Sequence, residues 1–425
     1  MFSTLRNAWK VPDIRKKILY TLMMLFVYRI GAHVPVPGMD VAQLSEAVSG
    51  GNNLLAGFMD LFAGGALSRF SLFALGITPY ITASIIMNLL TMALPPLERM
   101  SKEGPEGRKK IASITRYAAV GLGLVQAVAI LLSFQDFILD MGGIPVALTY
   151  ITMILCLTAG TALIMWIGEH ITENGVGNGI SLIIFISIVS RLGPEAIKLV
   201  QNGFDVNVTN TSIITIFVVL IAAVAIIVGI TFVDLGERRI PVQYAKRVVG
   251  RKMYGGQSTH IPMKINQSGV LPLIFALTLV QFPTIIMQLT GADPEGYKAV
   301  MGPDKILYLA VFALLIFFFT FFYSQATFNP PDVAKNMQQN GGFIPGIRAG
   351  KPTSDYLAKI LVRITLFGAL FLALVATIPT GLAAIAGFDS AFGPTSLLIM
   401  VSVSLETTRQ LESQMMMRHY KGFLK

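Results

Sequence analysis

The chain has 425 residues, of which 54% are hydrophobic and only 13% charged. Soluble domains carry about 25% charged residues, so a water-soluble globular protein is excluded. The formal charge of +10 would point to nucleic acid in a soluble protein, but here its distribution along the chain carries the information.

Mean hydropathy is +0.67, and several apolar runs reach the roughly 20 residues that a helix needs to cross a bilayer. Lipid offers no hydrogen-bond partner to the backbone, so each run must be a helix or part of a closed barrel. The runs lack the alternation of barrel strands, which leaves helices. Spans are predicted near 18–34, 72–94, 116–134, 148–168, 178–193, 211–233, 269–290, 306–328, 360–384 and 395–412.

In chain order, Arg15, Lys16 and Lys17 precede the first run in the manner of an export signal. No small-x-small cleavage site follows, so the run reads as a permanent helix. Arg29 falls near its outer end, where a long side chain is expected to snorkel to the interface. Residues 54–66 (LLAGFMDLFAGGA) are apolar, carry Asp60 and end in Gly64-Gly65. They are too short to cross. They lie either as an outer surface loop or as a re-entrant half-helix folded into a cavity, where irregular backbone at membrane depth survives.

The second span opens with Gly76-Ile77-Thr78-Pro79-Tyr80-Ile81, and the seventh echoes it with Gly269-Val270-Leu271-Pro272-Leu273-Ile274. Each is the second span of its half if the chain divides into five plus five helices. Five is odd, so the second half would be inverted relative to the first, an arrangement many transport proteins use.

Cys156 is the single cysteine, which rules out an intrachain disulfide and a cysteine metal site. The run Gly175-Val176-Gly177-Asn178-Gly179 imitates a dinucleotide loop but lies between two helices, with no strand before it, and reads as a tight turn. His170 and Glu173 have no partner ligands in sequence, so no metal is expected there. HExxH, GxSxG and P-loop signatures are absent.

Most of the 33 Lys and Arg fall in the N-terminus, the 95–116, 234–268 and 329–363 segments and the C-terminus. Arg69, Arg191, Lys198, Lys298 and Lys305 lie on the other side. The positive-inside rule then puts both termini in the cytoplasm, which requires an even number of spans.

Ionisable residues are nearly absent from the spans, which argues against an ion-coupled transporter. Thr82, Asn88, Gln126, Thr278, Gln281 and Gln288 are polar but uncharged. They read either as hydrogen-bond glue between helices, about 1 kcal/mol each, or as a seam that opens and recloses. The loops at 234–268 and 329–359 are longer than a helix connection needs. A basic loop can orient a protein against anionic lipid, but Gly and Pro at defined turns favour docking of a large cytosolic partner.

Five separated stretches carry a resemblance: GGALSRFSLFALGITPYITASII (64–86), GTALIMWIGEHITENGVGNGISLIIF (160–185), RRIPVQYAKR (238–247), QSTHIPMKINQSGVLPLIFA (257–276) and NGGFIPGIRAGKPT (340–353). Together they make the chain similar to the SecY family. The resemblance implies an all-α membrane protein of ten transmembrane helices, in two inverted five-helix halves (1–205 and 206–425) around an hourglass pore. The function implied is the central pore subunit of the general protein-secretion channel in a bacterial cell membrane. Such a subunit is a passive conduit that hydrolyses nothing and holds neither cofactor nor metal.

By the same resemblance the pore ring falls on Ile77, Ile81, Ile184, Ile188, Ile274 and Ile399. The re-entrant segment becomes the plug, through Phe58, Met59, Asp60, Leu61, Phe62, Gly64 and Gly65. The lateral gate takes Thr82, Asn88, Gln126, Thr278, Gln281 and Phe282. Docking of the SecA motor or the ribosome falls on Arg238, Arg239, Lys246, Arg247, Arg251, Lys252 and Arg348. Implied partners are the small subunits SecE and SecG, SecA, the ribosome, signal peptides, unfolded preproteins and membrane lipids, with no specific nucleic acid beyond ribosomal contact. One departure is Ala349, where the family usually has Pro after the arginine. A small-solute transporter and an insertase without a through-pore are the alternatives.

Overall fold

A computed structural model describes residues 6, 8–49, 60, 62–139, 145–204, 211–244, 247–249, 252–254, 258–267, 269–290, 297, 301–302, 305–386 and 394–422. Helices occupy all ten predicted spans: Pro12–Gly31 (α1), Thr78–Ala93 (α3), Pro105–Ser133 (α5), Val146–Asn174 (α6), Gly179–Phe204 (α7), Thr211–Leu235 (α8), Leu271–Thr290 (α9), Ile306–Thr327 (α10), Lys351–Ala386 (α12) and Pro394–Gly422 (α13). Among the described residues, four helices are long and apolar enough to cross a membrane, or five if a bent pair counts as one span. Val41–Ser49 (α2), Pro95–Lys102 (α4) and Pro330–Gln339 (α11) are helices that the hydropathy reading missed.

Proline marks several starts. It stands in the first turn of α1, α3, α4, α5 and α11. Its missing N–H is one that a helix leaves unbonded there anyway. Leu94, held extended before Pro95, lets α3 and α4 meet at a bend of 98°. The predicted 72–94 span therefore begins only at Thr78, because residues 72–77 form turns. The 178–193 span instead runs on through Pro194 to Phe204.

The echo between the second and seventh spans is real at the level of local geometry. Gly76 and Gly269 both have positive φ, +58° and +63°, and each helix starts one residue before its proline.

The chain forms two compact units. The first comprises Met1–Phe217, Gln281–Ala299 and Val403–Lys425, and the second Val218–Val280 and Val300–Ser402. In the first, the core gathers Leu44, Leu67, Phe70, Leu75, Leu131, Phe134, Met153 and Leu157, so the turns at 62–77 are packed in protein. This is where non-helical backbone is affordable in a membrane protein.

In the second unit the two long loops build one small sheet. Glu237–Tyr244 (β1) pairs with Ser258–Lys264 (β4) and with Gly342–Phe343 (β5), in the order β4-β1-β5. Arg247–Val249 (β2) and Lys252–Tyr254 (β3) form a separate pair. Ile240, Val242 and Met263 turn one face of the sheet onto Met337 of α11 and onto Leu357 and Leu361 of α12.

Candidate functional site

Part of the segment at 54–66 is described in the first unit. Phe58, Met59 and Leu61 lie outside the described residues, but Asp60, Phe62 and the turns after them are placed. Asp60 is 2% exposed. A buried carboxylate needs both charge compensation and donors. Its Oδ1 accepts from the backbone N–H of Leu67 (2.9 Å) and Ser68 (3.0 Å), which closes the turn on itself. Its Oδ2 faces Arg191 Nη1 at 3.1 Å, which ties the turn to α7.

Helix α1 holds the same segment and its surroundings. Arg29 on α1 donates to the Gly64 carbonyl at 3.0 Å. Its guanidinium thus meets a backbone acceptor of the segment while the side chain stays half-buried. Tyr28, next along α1, lies 2.7 Å from Ser187 Oγ. Ser187 donates its one hydroxyl hydrogen to the Ile183 carbonyl, so Tyr28 is the donor of that pair. Tyr28 also stacks on Phe73, ring centroids 5.5 Å apart. Gly64 sits at φ +66°, and a Cβ there would lie 2.9 Å from Ser187 Cα. No other residue type permits so close an approach in that conformation.

On α7, residues 184, 187, 188 and 191 follow helical spacing and share a face. That face carries two of the ring isoleucines and the two side chains that meet the re-entrant segment. Ile77, Ile184, Ile188 and, in the second unit, Ile399 are buried, while Ile81 and Ile274 are half-buried. Ile77 is the residue before α3 rather than part of it, and its carbonyl accepts from the Ile81 N–H at 3.0 Å. None of the six lies with the exposed apolar residues such as Phe26, Leu155, Phe232 and Leu314.

The residues assigned to the gate behave differently from interhelical glue. The hydroxyls of Thr82 and Thr278 turn back to the carbonyls of Thr78 (3.0 Å) and Ile274 (2.8 Å) on their own helices. Gln126 is buried and its Oε1 accepts no hydrogen bond among the described residues. Asn88 and Phe282 are exposed, and the side chain of Gln281 lies outside the described residues.

Of the docking arginines, Arg239 stands on β1 with its guanidinium 2.7 Å from Glu237, and Arg238 beside it is exposed. Arg348 is exposed on a turn between Gly346 and Gly350, both at positive φ, and its carbonyl accepts from Thr353 Oγ1 at the start of α12. Lys246 and Arg251 lie outside the described residues, and Arg247 and Lys252 are placed only as strand backbone.

Sequence reasoning missed Tyr28, Arg29, Ser187 and Arg191. A signal existed for one of them. Asp60 is an acid in an apolar run, and Arg191 a base at the end of the fifth span; opposite charges stranded on the same side of a bilayer are natural partners.

A helical membrane protein with a re-entrant segment sealed among its helices is the class these features define, and comparison with known proteins makes it specific. A family model described as SecY matches residues 71–408. The protein translocase subunit SecY of Streptomyces galbus is 44% identical over 444 residues, and that of Halalkalibacterium halodurans 45% over 434, each alignment spanning both chains in full. The chain belongs to the SecY family. Solved structures share the fold at low identity. One described as "The structure of a protein conducting channel" aligns with a TM-score of 0.68 at 19% identity, over 94% of this chain and 92% of that one. A second concerns a SecY plug domain that maintains a membrane seal (TM-score 0.66, 19% identity, 94% and 92% covered). A third is Sec61 in a canine ribosome-channel complex (TM-score 0.64, 18% identity, 96% of each chain).

Proposed function

We propose that this protein is the central subunit of a protein-secretion channel, a gated conduit that passes unfolded polypeptides and releases apolar segments sideways into lipid. The carrying observation is the segment at 60–64, tied through the Asp60–Arg191 ion pair to the helix face that bears Ile184 and Ile188, and through the Gly64 carbonyl to Arg29 on α1. A removable stopper needs contacts strong enough to seal and few enough to release. One buried ion pair and a handful of hydrogen bonds fit that description. In this proposal Ile77, Ile81, Ile184, Ile188, Ile274 and Ile399 supply an uncharged constriction. Such a waist excludes ions by dewetting and yields around a passing chain.

In this reading both termini are cytoplasmic, with ten spans in two inverted halves divided near residue 205. The sheet of β1, β4 and β5 and the Arg348 turn then face the cytosol. There Arg238, Arg239 and Arg348 dock the SecA motor or the ribosome, and the related ribosome-channel complex supports the second. SecE and SecG are the expected small subunits. Thr82, Asn88, Gln126, Thr278, Gln281 and Phe282 border the lateral exit. Hydroxyls already satisfied within their own helices leave little to break when helices part.

Reconstitution tests the whole reading. Vesicles holding the chain with its small subunits should shelter a signal-bearing precursor from protease only when motor and ATP are supplied. Uptake of small solutes by the chain alone, with no sheltering under any condition, would return the protein to the transporter class. Insertion of apolar segments without delivery of secreted precursors would make it an insertase.

A further inference from the structure

Asp234 occupies an unusual place. It lies in the last turn of α8, where the helix dipole disfavours an acid. Its two oxygens are held by different elements. Oδ1 accepts from Asn266 Nδ2 at 2.8 Å, just past the end of β4, and Oδ2 accepts from Ser402 Oγ at 2.6 Å on α13. Asn266 and Ser402 are both buried. The same junction is closed by backbone, since the Ile265 N–H donates to the Gly236 carbonyl at 3.0 Å. Thus the two ends of the β1–β4 hairpin are fastened to each other, and Asp234 fastens that base to α13. Ser402 lies three residues after Ile399, on the same side of the helix. All of these residues belong to the second unit.

We infer that Asp234 is a positioning residue that links the docking hairpin to the helix carrying Ile399, so that force on the hairpin reaches the constriction. The inference rests on the function proposed above. A hydrogen bond to a carboxylate is short and directional, which suits transmission better than apolar contact, along which helices slide. The hairpin bears Arg238 and Arg239. A partner seated there acts on the β1 and β4 ends, and the Asp234–Ser402 bond is the route to α13 that this geometry supplies.

The test uses the full-length protein with its small subunits in proteoliposomes, an ATP-driven export motor and a signal-bearing precursor. Ser402→Ala should slow uptake about tenfold at saturating motor, the effect of losing one hydrogen bond to a charged group, while motor affinity stays the same. Ser402→Thr keeps the hydroxyl and should restore the rate. Asp234→Asn should slow uptake as well, and the double variant should be no slower than Asp234→Asn alone. Wild-type uptake by Ser402→Ala overturns the inference, as do effects that multiply. Lowered motor affinity with an unchanged saturated rate also overturns it, because Asp234 would then only stabilise the hairpin.

Hydrogen exchange reads the link without transport. Asn266→Ala should quicken exchange at residues 399–403 when Ser402 is present and add nothing once it is Ala; independent effects refute the link. A coupled exchange pattern in a protein that moves no precursor would sink the conduit reading and leave the link standing.

Discussion

Replacing Asp60 by Asn tests the seal at its strongest contact. The amide keeps the shape of the carboxylate and an oxygen for the Leu67 and Ser68 N–H groups, but it removes the charge facing Arg191. Breaking a fully buried charge pair costs about 3–5 kcal/mol. Asp60 is buried, yet the Arg191 side chain is 27% exposed, so water recovers part of the loss. A cost of about 2 kcal/mol to the seated segment follows, which is about thirtyfold in the ratio of seated to released states. The assay is resting ion conductance in planar bilayers with neither motor nor substrate. Open events should become about thirtyfold more frequent, while melting shows the chain still folded. The double variant Asp60→Asn with Arg191→Gln should leak less than the two single effects combined, because they share one interaction. A resting conductance equal to that of the unaltered protein would refute the role of the pair in holding the segment.

Gly64→Ala should destabilise the seated segment by about 1–3 kcal/mol, through left-handed strain together with the clash against Ser187. A lower melting temperature and a raised leak are the expected readouts. Ile81→Asn and Ile274→Asn should each raise resting conductance by wetting the constriction; planar bilayers again decide. Arg348→Glu should abolish motor-driven export while leaving assembly with the small subunits intact, measured as precursor sheltered from protease against co-purified subunits.

The helices were legible because a bilayer imposes a long apolar run on each of them, a strong and local signal. Their ends were less so. The bend at Leu94 and the turns at 72–77 follow from Pro95, Pro79 and Gly76, but the surrounding residues are as apolar as a helix interior and hid the break. The sheet escaped notice because β1 carries Pro241 between Ile240 and Val242, and proline argues against a strand. It is tolerated because, among the described residues, β5 pairs only with Gln243 and Tyr244, so no strand partner faces Pro241 on that side. The anchors of the re-entrant segment were hidden for another reason. Tyr28, Ser187 and Arg191 gain meaning only when helices far apart in sequence come together, and no periodicity records that. The isoleucines were named through family resemblance; taken singly, each is indistinguishable from a lipid-facing residue.

The pairing of Gln243 with Phe343 joins positions about a hundred residues apart in sequence. During synthesis the first loop is therefore made well before the strand that completes its sheet. Two further hydrophobic stretches, α9 and α10, must be inserted in between. A nascent chain halted before residue 342 would present an unfinished sheet. If this surface docks a motor as proposed, that competence is acquired only once β5 has been made.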